Sequence, residues 1–138
     1  MEAAILQCCR ALTDQRASIT QTRLIIFKEL YAKPPLTVAE LQSACIPRVN
    51  RATVYRTVRL FEAAGIIHRV AVGWKTKLEL SDQFGAHHHH ANCVQCGGVM
   101  QLVENPGLER KVRDLASIIG FELHSHQLEL RGICSDCQ

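Results

Sequence analysis

Long apolar runs are missing from this sequence. None approaches the ~18 residues that a bilayer-spanning helix needs, so no membrane span is expected. Also missing is a basic flank leading into an apolar core at the start, where Glu2 stands instead. No export leader is therefore expected, and the cytoplasm is the expected compartment. Charge of one sign is scarce: 16 Lys and Arg against 13 Asp and Glu leave a net charge of +3, which excludes a polycation. Internal repeats are absent, and so is any His-Glu-x-x-His helix. A zinc hydrolase, which needs an open metal position and a nearby base, finds no motif here. With no export signal, the seven cysteines point to metal or redox chemistry more than to a disulfide framework.

What is present reads as globular: 47% hydrophobic and 21% charged residues over 138 positions. That length holds one ordinary domain or two small ones, and a unit of roughly 60 residues buries too little surface to be secure alone. Each small unit would need a metal, a disulfide or a partner chain.

The first half reads helical. Residues 3–12 are an apolar stretch containing Cys8 and Cys9. From Thr20, Leu24, Phe27 and Leu30 recur at helical spacing until Pro34-Pro35 stops them. Thr37 and Glu40 have the spacing of a capping box, with Leu41 and Ala44 expected inward and Pro47 as the breaker. A third helix is predicted from an Asn50 cap to Ala64, closed by Gly65, with Val54, Val58 and Phe61 as its apolar stripe. Residues 66–72 and 75–80 read as two strands joined around Gly73. Helix, helix, basic helix, hairpin is the order of a winged helix-turn-helix, predicted over 1–80.

On the third helix, Arg51, Tyr55 and Arg59 share one face, flanked by Arg56, and Arg48 lies just before them. Arginines neutralise phosphates, and a fork or ring can meet base edges or a thymine methyl. A charge run is usually only a solvated face. Here the capped helix before it and the hairpin after it supply the context of double-stranded DNA binding.

Residues 81–86 read as a hinge, and 87–138 as strand, strand, helix, strand, giving an α+β protein with a small α/β second domain. Leu108, Val112, Leu115 and Ile119 form the predicted helical stripe, closed by Gly120, and Leu128 and Leu130 alternate as in a strand. Cys93-x-x-Cys96 and Cys134-x-x-Cys137 are two hooks that complete a closed four-thiolate zinc site, structural because no coordination position stays open. A redox pair is the competing reading. The 37 residues between the hooks (97 to 133) exceed what a compact zinc ribbon needs, so the site ties the last strand to the first.

His87-His88-His89-His90 lies in mid-chain. On an extended backbone His87 and His89 face one way and His88 and His90 the other, so the run can serve two sites. His126 shares parity with Leu128 and Leu130 and is expected inward. His68 and Glu79 lie in the hairpin, and Glu104 and Glu109 lie before and at the start of the last helix. A metal buffer would use such a tract equally well, but not the basic helix. Cys8, Cys9 and Cys45 read as redox switches or, more commonly, as buried packing.

Taken together, Thr20-x-x-Arg23, Ala52-Thr53-Val54-Tyr55-Arg56, Phe61, Gly65-Ile66, the histidine run with Cys93-x-x-Cys96-Gly97, Gly120-Phe121, His126, Gly132 and Cys134-x-x-Cys137 resemble the ferric uptake regulator family. The resemblance covers nearly the whole chain. It implies a homodimeric repressor that binds operator DNA when loaded with a regulatory metal and controls metal uptake. It makes Tyr55 a base contact and Arg56 a backbone contact, with Arg51, Thr53 and Arg59 beside them. It assigns His88, His90 and Glu79 to a regulatory site, and His87, His89, Glu109 and His126 to a second, with Glu104 as the alternative to Glu109. No histidine precedes His68, which stands where zinc-sensing relatives often place a ligand; His68 therefore joins the regulatory set and zinc is the expected metal. Iron(II) and manganese also suit imidazoles with a carboxylate. A peroxide sensor is disfavoured by Gln101, where such relatives carry a carboxylate.

Overall fold

The structure is a computed structural model that describes residues 1–33, 35–72, 74–85 and 88–138; Gly73, part of the predicted turn, and His87 lie outside the described residues. The chain divides into two units, Met1–Gly85 and Ala86–Gln138.

The first unit runs α1 (Glu2–Asp14), α2 (Gln21–Ala32), α3 (Val38–Cys45), α4 (Arg51–Ala63), β1 (Ile67–Val72) and β2 (Lys75–Leu80). The starts of α2, α3 and α4 are set by short polar side chains. Thr20 Oγ1 accepts from the Arg23 amide at 3.4 Å, and Asn50 Oδ1 accepts from the Thr53 amide at 2.9 Å. At α3 the box is reciprocal: Thr37 Oγ1 accepts from the Glu40 amide at 3.2 Å, and the Glu40 carboxylate accepts from the Thr37 amide at 2.7 Å. That donation from the Thr37 backbone holds the Glu40 carboxyl below its ordinary value. Gly65, at φ +65°, takes the left-handed position that ends α4 and turns the chain into β1.

Four helices and the hairpin close over one apolar core in which Leu12, Ile26, Phe27, Leu41, Val54, Phe61, Ile66 and Leu78 are sealed from water. Phe84 stands edge-on to Phe27 with ring centroids 5.3 Å apart. Two expected inward residues, Leu24 and Ala44, are only half-buried; Ile26 and Cys45 take the interior positions beside them. β1 and β2 pair antiparallel, with His68 opposite Glu79 and Val72 opposite Lys75, and Leu36 adds a single antiparallel bridge to Leu78. Cys8 and Cys45 are completely buried, and burial, with Cys9 beside it, pushes the Cys8 thiol up to about 12. A thiol that stays protonated is packing material, not a nucleophile.

The second unit contains β3 (His89–Cys93), β4 (Val99–Leu102), α5 (Pro106–Ile118) and β5 (Glu129–Gly132). Its sheet has the order β4-β3-β5, with β3 antiparallel to β4 and parallel to β5. Asn105 caps α5 by accepting from the amides of Gly107 and Leu108 at 2.9 and 3.2 Å, and Pro106 occupies the first turn, where its missing N–H costs nothing.

Here the expected stripe needs correction. The side chains that α5 buries are Glu109 and Ala116, while Leu108 and Val112 are half-buried. Leu115 and Ile119 are 65% and 75% exposed, as are Ile118 and Leu130 at 79% and 49%. Periodicity identified an apolar face without identifying what covers it. A unit this small presents more apolar surface than its own sheet can cover.

Candidate metal centres and nucleic-acid face

The cysteine hooks are shaped by backbone hydrogen bonds. Beyond β3 the chain turns at Gly97, φ +71°, whose amide donates to the Cys93 carbonyl at 3.0 Å, while the Cys93 amide donates to the Gly98 carbonyl at 2.9 Å. The parallel β3–β5 pairing sets Cys93 beside Gly132, and the short helical turn Ser135–Cys137 folds the second hook onto the first. All four Sγ atoms lie within 4.8 Å of one another, with Cys96 and Cys134 3.8 Å apart. Tetrahedral zinc bound at ~2.3 Å has an S···S edge of about 3.8 Å, so the cage fits that ion.

Backbone amides also aim at the sulfurs. Cys134 donates to Cys93 Sγ at 3.4 Å, and Gly98 to Cys96 Sγ at 3.4 Å. The amides of Cys134 and Cys96 draw the Cys93 thiol down to about 6, whereas the neighbouring Cys134 side chain, with burial, pushes Cys137 up to about 12. Four like charges cannot crowd together unaided; a divalent cation removes the conflict.

A second group forms where β3 meets α5. His89 Nε2 lies 2.9 Å from Glu109 Oε1, and His126 Nε2 lies 3.2 Å from Glu109 Oε2. His89 and Glu109 are 2% and 4% exposed. A carboxylate so deeply buried needs a positive partner, either an imidazolium or a cation. The capped first turn of α5 places Glu109 here, whereas Glu104 is exposed and belongs to none of the described ligand groups. His126 reaches the group from the segment before β5, because the strand begins only at Glu129.

The opposite face of β3 carries His90, with the His88 ring 5.0 Å from it centroid to centroid. In the first unit, His68 Nε2 lies 3.7 Å from Glu79 Oε2 across the β1–β2 pairing. Asn92, not anticipated from the sequence, is 4% exposed and donates from Nδ2 to the Glu129 carboxylate. The partners are far apart in the chain, so no local pattern could have paired them.

On α4, Val54, Thr57, Val58 and Phe61 face the core, which leaves Arg51, Tyr55, Arg56 and Arg59 exposed on the outer face, with Thr53 half-buried. The Arg51 guanidinium carbon stands 5.6 Å from the centroid of the Tyr55 ring, a cation–π contact that steadies both without withdrawing the charge from solvent. Arg48 is instead tied to Glu29, whose carboxyl is held below its ordinary value by Lys33 and then by the Arg48 guanidinium.

Comparison with known proteins agrees with this geometry. The family model described as ferric uptake regulator family matches residues 13–131. A ferric uptake regulation protein of Neisseria meningitidis serogroup B is 34% identical over 134 residues, covering 92% of this chain and 90% of that protein. One from Bordetella parapertussis is 41% identical over 91 residues, covering 65% of this chain and 63% of that protein. Among solved structures, the Vibrio cholerae ferric uptake regulator, described for a rearrangement of its DNA-binding domains, matches with a TM-score of 0.70. It is 31% identical, with 91% of this chain and 98% of that chain covered.

Proposed function

Because this chain belongs to the ferric uptake regulator family, we propose that it is a metal-responsive transcriptional repressor that grips operator DNA as a homodimer and controls metal uptake. The observation that carries this reading is the coexistence, in one chain, of a bare Arg and Tyr face on α4 with imidazole–carboxylate groups built for a divalent ion.

In this reading Cys93, Cys96, Cys134 and Cys137 hold zinc permanently and knit β3 to the end of the chain. His68 and Glu79 from the wing, with His88 and His90 from β3, are the regulatory ligands. His89, Glu109 and His126, with His87, hold a second ion. A bound divalent ion supplies the positive charge that lets these carboxylates and lone pairs stay desolvated. By sharing ligands, the wing and the strand restrict each other, and the two α4 helices of the dimer are set at the spacing of successive major-groove faces. Arg51, Arg56 and Arg59 then meet phosphates while Tyr55 and Thr53 approach base edges. The exposed Leu115, Ile118, Ile119 and Leu130 are the surface on which a second copy sits. Metal and DNA strengthen each other by ~1–3 kcal/mol per coupled site, and by reciprocity the DNA-bound dimer holds its regulatory metal more tightly.

Zinc is the regulatory metal we favour, because His68, adjoining Glu79, adds an imidazole from the first unit. Iron(II) is the second reading, since the named sequence relatives are ferric uptake regulation proteins. A duplex selected from a random pool by the zinc-loaded protein separates them. At fixed salt, buffered zinc should raise affinity for it, and His68→Ala should abolish the response. Equal binding after removal of all metal outside the four-cysteine cage would overturn the proposal, and a response to iron(II) alone would transfer it to that metal.

A further inference from the structure

We propose that Glu129, clamped by Asn92, is the positioning carboxylate that sets the ring of His90 for metal binding. The inference rests on the regulatory role just assigned to His90 but concerns a residue given no role there.

β3 is the middle strand, so His90 has a neighbour on each side: Gln101 of β4 and Glu129 of β5, both in register with it. Neighbouring strands run ~4.8 Å apart, within reach of a glutamate and an imidazole. Asn92 follows His90 by two residues and therefore shares its face of the sheet. Because the Asn92 amide donates to the Glu129 carboxylate, the Glu129 side chain must project from that same face. His90 and Asn92 are 7% and 4% exposed, and Glu129 is half-buried.

A histidine ligand has to present a neutral nitrogen to the ion and is steadied when its other ring N–H donates to a carboxylate. On the β4 side the residue in register with His90 is Gln101, a neutral amide; on the β5 side it is Glu129, an anion held by the Asn92 amide. Were the Asn92–Glu129 bond a simple fastening between strands, a glutamine at 129 would serve as well. It would do so without the cost of a partly desolvated charge. A negative charge is useful next to groups that donate or carry positive charge. Arg131, two residues along β5 on the same face, is one, and His90, in register with Glu129 across the pairing, is the one that belongs to the regulatory set.

The test is Glu129→Gln in the full-length chain with its four-cysteine zinc in place, since glutamine can still accept from Asn92. Zinc is titrated against a chromophoric chelator, and ¹⁵N ring shifts of His90 report its tautomer and the filling of this site. Affinity at His90 should fall about 10- to 100-fold, with mixed His90 tautomers before metal is added and an unchanged melting temperature. Asn92→Ser, which frees the carboxylate, should lower affinity in the same direction but less. Zinc affinity within twofold of wild type in both variants, with a lowered melting temperature, would make the bond a mere fastening and refute the proposal. If the wild-type His90 ring shifts do not move with zinc, or His88→Ala binds as wild type does, the regulatory reading fails and takes this inference with it.

Discussion

Replacing Cys137 by serine should remove the second unit's main source of stability while leaving the first unit folded. Among its described residues, Cys93 and Ala116 are the apolar side chains this unit fully buries, and much of α5 and β5 lies bare. Such a sheet has little hydrophobic contribution to set against backbone entropy, which costs ~1–2 kcal/mol per ordered residue. A four-thiolate zinc supplies ~10–16 kcal/mol at neutral pH, comparable to or larger than the whole ~5–15 kcal/mol stability of an ordinary domain. The four sulfurs already stand within 4.8 Å of one another, so most of that energy is available without rearrangement. Deleting one thiolate should therefore release zinc at neutral pH. Thermal unfolding followed by circular dichroism should then split into two steps, the first one early and the second one, from the α1–α4 unit, unmoved. Zinc content by a colorimetric reagent checks the cause. A Cys137→Ser protein that has lost its zinc yet keeps amide protection across β3 and β5 would refute the argument.

In the first unit, Phe27→Ala should cost ~3–5 kcal/mol, because a fully buried ring that touches Phe84 edge-on leaves a cavity; chemical denaturation should show this with the four-cysteine zinc retained. Arg56→Ala should weaken binding to selected and random duplexes alike and reduce the slope of affinity against salt by about 1, measured by fluorescence anisotropy. Acid should weaken the first unit through Glu29 and Glu40. Their carboxyl groups sit below their unfolded values, held there by Lys33 with Arg48 and by the Thr37 amide, respectively. Their stabilisation is complete above the ordinary carboxylate range of about 4.3 and is lost as pH falls through the lowered folded values. Glu40→Gln should flatten that part of the stability–pH curve.

Local chemistry was readable directly from the residues. The Thr37–Glu40 box, the Asn50 cap and the Gly65 turn each depend on a few consecutive positions, and each is present. The two Cys-x-x-Cys hooks were legible for the same reason, each spanning one turn. Reading failed where geometry is set at a distance. The α5 stripe was real as a pattern, but a hydrophobic period says nothing of whether the covering surface belongs to the same unit. Parity counted back from Leu130 assumed a strand reaching His126, and the strand starts at Glu129; His126 meets Glu109 by another route. Asn92 and Glu129 were invisible because their bond exists only once β5 lies parallel to β3.

Within the five residues of β3, His89 turns toward Glu109, His90 toward the opposite face, and Cys93 into the sulfur cage. Because strand faces alternate, gaining or losing one residue before Cys93 would send both imidazoles to the wrong sides together, with the thiolate still pinned. The segment can therefore change by substitution but not by insertion or deletion. Descendants of this gene should vary in which residues occupy these five positions long before they vary in how many there are.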